Sequence, residues 1–197
     1  MSRSVFYYDL GSPYAYLTAE RINAAFTDAG AEVPEWQPIL LGGLFRRFDR
    51  TSWGTGPARE EGMREVERRA AAYGLPPIRW PDPWPPNTTV FAMRTATFAK
   101  DIGRAVAFSL AAFRQAYAAG RDLTEPDNVM VAAAAAEMHP RAIGVAVERG
   151  GVKAALREAT ELAGDRGVVG VPSVVVGDEV FWGDDRLDDA AEAAARI

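Results

Sequence analysis

The sequence lacks cysteine altogether and has a single histidine among its 197 residues. The lack of cysteine excludes disulfides, thiolate metal sites and a thiol nucleophile supplied by the protein itself. One histidine cannot build a multi-histidine metal site. It is His139, which stands directly before Pro140, and this position predicts a surface or helix-capping role. Any sulfur chemistry in this protein would therefore need a sulfur brought in from outside.

Long apolar runs and a basic charge balance are also missing. No run approaches the roughly 20 apolar residues needed to span a bilayer, and residues 1–4 show no signal-peptide pattern. We therefore expect a cytoplasmic protein with no membrane partner. The net charge of -5 argues against nucleic acid as a partner. With 48% hydrophobic and 25% charged residues, the chain is typical of a globular protein.

Strand patterns occur only near the two ends of the chain. Pro34 and Pro38 favour an edge position for the second strand, because proline cannot donate to a sheet ladder. Gly177 and Asp178 separate the last two strands and predict a two-residue hairpin turn. The predicted strands are Val5–Asp9, Glu32–Ile39, Ser173–Val176 and Glu179–Trp182.

The remaining pattern is helical. The proline-rich stretch 76–86 interrupts it, and Asn87 is a plausible N-cap for the helix that follows. The helices are predicted over 14–22, 58–73, 88–101, 103–119, 126–137, 140–148 and 152–163, and from 184 to the C-terminus. We therefore predict a sheet domain built from residues 1–40 and 164–197, with a helical insertion over 41–163. The first two strands should be joined by a parallel crossover.

Three short stretches have ordinary structural interpretations. Ser12 precedes Pro13 at a helix start, where serine is a good N-cap and proline suits the first position. Pro172 precedes a strand; sequence alone favours a trans bond, since only about 5–6% of X–Pro bonds in folded proteins are cis. Asp184 and Asp185 fit the first turn of the last helix. Local sequence does not decide whether these residues have a further role.

Taken together, these stretches resemble the 2-hydroxychromene-2-carboxylate isomerase family. The resemblance rests on Tyr8–Leu17 (YDLGSPYAYL), Gly170–Ser173 (GVPS) and Phe181–Leu187 (FWGDDRL), and segments 37–45, 74–76 and 86–88 extend it over nearly the whole chain. That family is close to kappa-class glutathione transferases, and both belong to the DsbA-like branch of the thioredoxin fold. The resemblance implies an α/β thioredoxin-like sheet with an all-helical insertion and a cis bond before Pro172.

The resemblance also implies a site that uses a borrowed thiol. Ser12 would stand where disulfide oxidoreductases carry their nucleophilic cysteine, and it would face the sulfur of glutathione. The backbone of Val171 would pair with the cysteinyl part, and Asp185 with the α-amino group. The implied cofactor-binding positions are Ser12, Pro13, Tyr14, Val171, Pro172, Trp182, Gly183, Asp184 and Asp185. The implied protein is a homodimer that isomerises a small molecule in aromatic degradation.

The substrate would lie between the sheet and the insertion. Candidate lining residues are Phe45, Arg46, Trp53, Trp80 and Trp84. Arg46 or Arg47 would bind a substrate carboxylate, although both also fit a solvated surface. Family members usually carry an asparagine about ten residues after the leucine at position 41, followed by lysine. Segment 46–55 has neither residue, which leaves the acceptor substrate open and allows mycothiol or another thiol in place of glutathione.

Three other interpretations remain at this point. The chain would also suit a kappa-class-like glutathione transferase, or a non-catalytic DsbA-like protein that binds a ligand in the groove beside Pro172. A serine hydrolase using Ser12 is disfavoured. The sequence around Ser12 is not G-x-S-x-G, and Pro13 offers no N–H where an oxyanion hole needs one.

Overall fold

A computed structural model describes residues 4–197 and shows a mixed sheet flanked by helices. Residues 1–3, on which the expectation about a signal peptide partly rests, lie outside it. Within the described residues the sheet has four strands in the order β2-β1-β3-β4. The strands are β1 (Val5–Tyr8), β2 (Glu35–Pro38), β3 (Ser173–Val176) and β4 (Glu179–Trp182).

Strand pairing joins the two ends of the chain. β1 runs parallel to β2 and antiparallel to β3, and β3 and β4 form an antiparallel hairpin. The predicted parallel pair and the Gly177–Asp178 hairpin are therefore confirmed. β2 is an edge strand, as its prolines predicted, and it begins three residues later than expected, after Pro34. The central strand β1 ends directly before the Asp9–Ser12 loop.

All elements between β2 and β3 are helical. The α-helices of the protein are α1 (Pro13–Ala19), α2 (Ile22–Asp28), α3 (Leu41–Arg47), α4 (Arg59–Ala72), α5 (Val90–Asp101), α6 (Ala105–Tyr117), α7 (Pro126–Ala135), α8 (Pro140–Ala146), α9 (Gly150–Asp165) and α10 (Leu187–Ala195). Single 3₁₀ turns occur at Trp53–Thr55 and Asp184–Arg186. The predicted insertion boundary after residue 163 falls inside α9, and the division into domains stays a prediction. None of these helices has the length and apolar character that a membrane crossing requires.

Two local predictions were wrong. The single helix expected over 14–22 is divided into α1 and α2, which are separated by a turn at Glu20 and Arg21. Asn87 does not cap α5. The cap position is Thr89, whose hydroxyl donates to Asp9 Oδ2 at 3.1 Å instead of capping its own helix. At the start of α5 a distant contact overrides the local pattern.

The sheet separates two apolar clusters. Successive side chains of β1 point to opposite faces, so that Phe6 and Tyr8 enter the larger cluster with α1 and α6, while Tyr7 enters the smaller one. The smaller cluster includes Leu44 of α3 and Ala163 of α9. Helices of the insertion thus pack on both faces of the sheet. Two of them, α3 and α4, lie beside the loop that follows β1.

Candidate active site

Ser12 lies in the loop between β1 and α1, and its side chain is 5% exposed. Its Oγ accepts a hydrogen bond from the backbone N–H of Ala15 at 3.2 Å, so the predicted N-cap is present. The same hydroxyl donates to the carbonyl oxygen of Val171 at 3.4 Å. That distance is long for an O–H···O bond, whose usual length is about 2.7–2.8 Å. The hydroxyl proton is therefore held weakly by the protein.

The buried carboxylate of Asp9 fixes the loop that carries Ser12. Its Oδ1 accepts from the Gly11 N–H at 2.9 Å, and its Oδ2 accepts from the Leu41 N–H at 2.8 Å and from the Thr89 hydroxyl. Burial raises the pKa of Asp9, and the three donors oppose that rise. Asp9 thereby ties the Ser12 loop to the first residues of α3 and to the start of α5.

The segment before β3 forms the opposite wall. The Val171–Pro172 peptide bond is cis, and the carbonyl oxygen of Pro172 accepts from the Gly183 N–H at 3.0 Å. Gly170 faces the ring of Trp182, where a Cβ atom would lie 2.9 Å from Nε1. The ring of Trp182 therefore packs directly on the backbone that leads to Val171.

Asp184 and Asp185 are adjacent but differ in their surroundings. Asp184 is 1% exposed, and it accepts from Arg69 at 2.7 Å and from the Tyr73 hydroxyl at 3.0 Å. Burial raises its pKa, and Arg69 opposes the rise. The side chain of Asp185 is 61% exposed and approaches Arg69 only to 3.9 Å. Asp184 is thus engaged within the protein, and Asp185 is the carboxylate that is available to a ligand.

These elements enclose a cavity of about 450 Å³, a size usual for small-molecule sites. It brings together twelve of the residues predicted for the site: Ser12, Pro13, Tyr14, Phe45, Trp53, Trp84, Val171, Pro172, Trp182, Gly183, Asp184 and Asp185. One side of the cavity is formed by a cluster of three aromatic side chains. The ring centroid of Trp53 lies 5.9 Å from that of Tyr14 and 4.9 Å from that of Trp84.

The remaining predicted residues lie elsewhere. Arg46 lines a neighbouring hollow of about 310 Å³, and Arg47 pairs with Asp165 at 2.7 Å on the surface. Trp80 packs behind Trp84 at 4.6 Å and donates to Glu67. His139 caps α8 and accepts from the Arg141 N–H, as its position before Pro140 predicted.

Sequence reasoning missed four polar residues of the cavity wall: Arg50, Thr51, Ser52 and Arg69. Arg69 was inconspicuous in an exposed-looking run of charges on α4. Its role depends on Asp184, which is 115 residues away in the chain. Arg50 lies in the segment that departs from the family pattern, and that departure was the one signal that pointed to it.

Comparison with known proteins agrees with this geometry. A model of the DSBA-like thioredoxin domain matches residues 5–195, and the chain belongs to that family. It is similar to a 2-hydroxychromene-2-carboxylate isomerase from Sphingobium xenophagum, with 28% identity over 93% of each chain. The resemblance inferred from the motifs is thereby confirmed, and the DsbA-like fold with it.

Solved structures show the same fold. A 2-hydroxychromene-2-carboxylate isomerase superposes with a TM-score of 0.83 at 22% identity, covering 98% of this chain and 94% of the other. A probable DsbA oxidoreductase from Streptomyces coelicolor gives 0.73 at 19% identity, covering 98% and 89%. Because both identities are low, these structures establish the architecture and leave the reaction to be argued from the site.

Proposed function

We propose that the protein is a thiol-dependent isomerase of the 2-hydroxychromene-2-carboxylate isomerase type, with glutathione or a similar small thiol as cofactor. The observation that carries the proposal is the position of Ser12. Its hydroxyl lies buried beside the cis Val171–Pro172 bond, on the wall of a cavity, in a protein without cysteine. The similarity to an isomerase of the same length supports the reaction class.

A hydrogen bond from the Ser12 hydroxyl has the size needed to keep a bound thiol largely ionised. Lowering a thiol pKa from about 8.5 to about 6.5 requires roughly 2.7 kcal/mol, and a hydrogen bond to a charged group contributes about 1.5–3 kcal/mol. Because the bond from Ser12 to Val171 is long, little is lost when the hydroxyl proton turns toward a sulfur. The Ala15 N–H continues to donate to the same oxygen, which strengthens Ser12 as a donor.

When bound, the thiol supplies a nucleophile for reversible addition to a conjugated substrate, which permits rotation about the former double bond before elimination. The protein orients the two partners. Ser12 holds the sulfur end, and Asp185 is placed to pair with an amino group of the cofactor. Tyr14, Trp53 and Trp84 offer flat apolar surface to a conjugated acceptor.

Calorimetric titration with glutathione and with mycothiol tests the proposal. We expect one of them to bind and to release a proton, because the thiol is bound as its anion. The released proton appears as a dependence of the measured heat on the ionisation enthalpy of the buffer. S-methylglutathione, whose sulfur cannot ionise, is the matched control and should bind more weakly. Binding of neither thiol at millimolar concentration would overturn the proposal.

A DsbA-like binding protein without catalysis is the second candidate, because Val171 and Pro172 line the cavity whether or not chemistry follows. A kappa-class-like glutathione transferase is the third. Following 2-hydroxychromene-2-carboxylate by absorbance, with and without the thiol that binds, separates them. A thiol-dependent change of the substrate without net consumption of thiol supports the isomerase. Consumption of the thiol supports a transferase, and no reaction with this or related acceptors supports a binding protein.

A further inference from the structure

Arg50 is a cation of the cavity wall that has no carboxylate partner. Within residues 4–197 it makes no ion pair within 4 Å, and its guanidinium lies 4.5 Å from the ring centroid of Trp182. The other arginine of the wall, Arg69, is engaged by Glu65 and Asp184, both at 2.7 Å. Arg50 is therefore the cation of this cavity that a ligand can use.

The backbone fixes the position of Arg50. The helix α3 ends at Arg47, and Asp49 takes a left-handed conformation with φ of 51°. The Arg50 N–H then donates to the carbonyl oxygen of Phe45 at 2.9 Å, which closes the C-terminal turn of the helix. The side chain extends from this anchored turn across the ring of Trp182.

Trp182 places Arg50 on the side of the cavity that faces the proposed thiol. The Trp182 ring packs on Gly170, next to Val171, whose carbonyl oxygen accepts from Ser12. The aromatic residues Tyr14 and Trp53 come from α1 and a 3₁₀ turn, and they pack on each other. Arg50 is thus linked through the Trp182 ring to the segment that carries Val171.

The charges of the cavity are complementary but separated. Asp185 approaches Arg69 only to 3.9 Å, and Arg69 is already paired with Glu65 and Asp184. Arg50 and Asp185 line the same cavity without forming an ion pair. A ligand that carries both an ammonium and a carboxylate group satisfies both residues, whereas a neutral ligand satisfies neither.

We propose that Arg50 binds the C-terminal carboxylate of the thiol cofactor, at the end remote from the amino group that Asp185 would hold, and that the cofactor is a zwitterionic peptide thiol and not a carboxylate-free sugar thiol. This inference rests on the proposed function. It also explains how segment 46–55 serves a thiol without the asparagine and lysine that the family pattern leads one to expect. Arg50 provides a positive charge from a different position in the same segment. Its planar guanidinium can bind a carboxylate through two hydrogen bonds, which a lysine ammonium does less well.

The test compares glutathione with glutathione amide, in which the glycyl carboxylate is replaced by a neutral amide. Calorimetric titration of the wild-type protein should give about tenfold tighter binding of the acid. In Arg50→Gln the preference should disappear, because binding of the acid weakens while binding of the amide is unchanged. Unchanged amide binding also shows that the variant is folded. Arg50→Lys should restore part of the preference.

Arg157→Gln is the matched control, because it removes the same charge from an exposed position on α9 outside the cavity. It should leave the preference intact. If the wild-type protein binds acid and amide equally, or if Arg50→Gln keeps the preference, this inference is overturned while thiol binding stands. If the wild-type protein binds neither form but binds mycothiol, the inference is overturned while the proposed function stands. If it binds none of the three, the proposed function fails and the inference fails with it.

Discussion

The Ser12 hydroxyl donates to the carbonyl oxygen of Val171 across 159 positions of sequence. This contact joins the loop after the first strand to the cis peptide before the third, so that the two ends of the chain meet at one buried oxygen. Ser12 Oγ also caps α1, because it accepts a hydrogen bond from the Ala15 N–H. Capping and the proposed role toward sulfur would be separable contributions of this one side chain.

Ser12→Ala tests both contributions at once. Loss of the cap should lower the free energy of unfolding by about 1 kcal/mol, measured by chemical denaturation. Loss of the donor should raise the pKa of the bound thiol by about one to two units, measured by titration of thiolate absorbance. Ser109→Ala is a suitable control, because Ser109 is a buried serine that bonds to Tyr8. It should change stability alone. A bound-thiol pKa that is equal in wild type and Ser12→Ala would leave Ser12 as a cap only.

The parts of this site that sequence could predict are the local ones. Gly11-Ser12-Pro13 marks a helix start, and the hairpin turn marks the strands that bring Pro172 close to it. The parts that it could not predict depend on contacts between distant residues. Asp184 looks like an ordinary first-turn acid until Arg69 and Tyr73 enclose it. Thr89 looks like a helix residue until Asp9 accepts its hydroxyl. The N-cap of α5 was assigned to Asn87 instead of Thr89 for this reason.

Arg69→Met should be strongly destabilising at neutral pH. It leaves the carboxylate of Asp184 buried without its cation, and breaking such a pair costs about 3–5 kcal/mol. The double variant Arg69→Met/Asp184→Asn should cost less than the sum of the single changes. Denaturant unfolding of all four proteins measures this coupling. The matched control is Arg64→Met, because Arg64 and Glu60 form an exposed pair at 3.9 Å on the same helix. It should cost about 0.5 kcal/mol or less.

The pH dependence of Arg69→Met follows from the sign of the Asp184 shift. Burial raises the pKa of Asp184 in the folded protein, and removal of Arg69 raises it further. A folded-state pKa above the unfolded value means that the folded state binds the proton more tightly, so stability falls as pH rises through that pKa. The defect of Arg69→Met relative to wild type should therefore shrink as the pH is lowered into the acidic range. A defect that is constant from pH 7 down to about pH 4 would contradict the assignment of its cause to Asp184.

Gly183→Ala should weaken thiol binding as well as stability. Gly183 has φ of 116°, and an added Cβ would overlap Asp185 Oδ1. The change therefore strains the backbone by roughly 1–2 kcal/mol and displaces the carboxylate proposed to hold the amino group. Gly30→Ala isolates the strain, because Gly30 has φ of 76° and open space around its Cα. Denaturation should report a loss in both variants, whereas calorimetry with glutathione should report a loss only in Gly183→Ala. Equal affinity in the two variants would argue that Asp185 does not contact the thiol cofactor.

Gly62→Ala tests the aromatic wall of the cavity without replacing an aromatic residue. An added Cβ on Gly62 of α4 would overlap the ring of Trp53, so the ring must move relative to Tyr14 and Trp84. Alanine in place of an exposed helical glycine ordinarily stabilises by about 0.5–1 kcal/mol, and Gly144→Ala, with open space around it in α8, should show that gain. Gly62→Ala should instead lose about 1–3 kcal/mol through overpacking.

The ligand readout of Gly62→Ala distinguishes the acceptor side of the cavity from the thiol side. S-benzylglutathione places an aromatic ring one methylene away from the sulfur, where a conjugated acceptor would lie during addition. Because Trp53 and Trp84 line the same cavity as Ser12, calorimetry should show weaker binding of S-benzylglutathione to Gly62→Ala and unchanged binding of glutathione. Tryptophan fluorescence should confirm that the ring has moved. If both ligands lose affinity equally, Trp53 belongs to the thiol site; if neither does, the acceptor lies away from this wall.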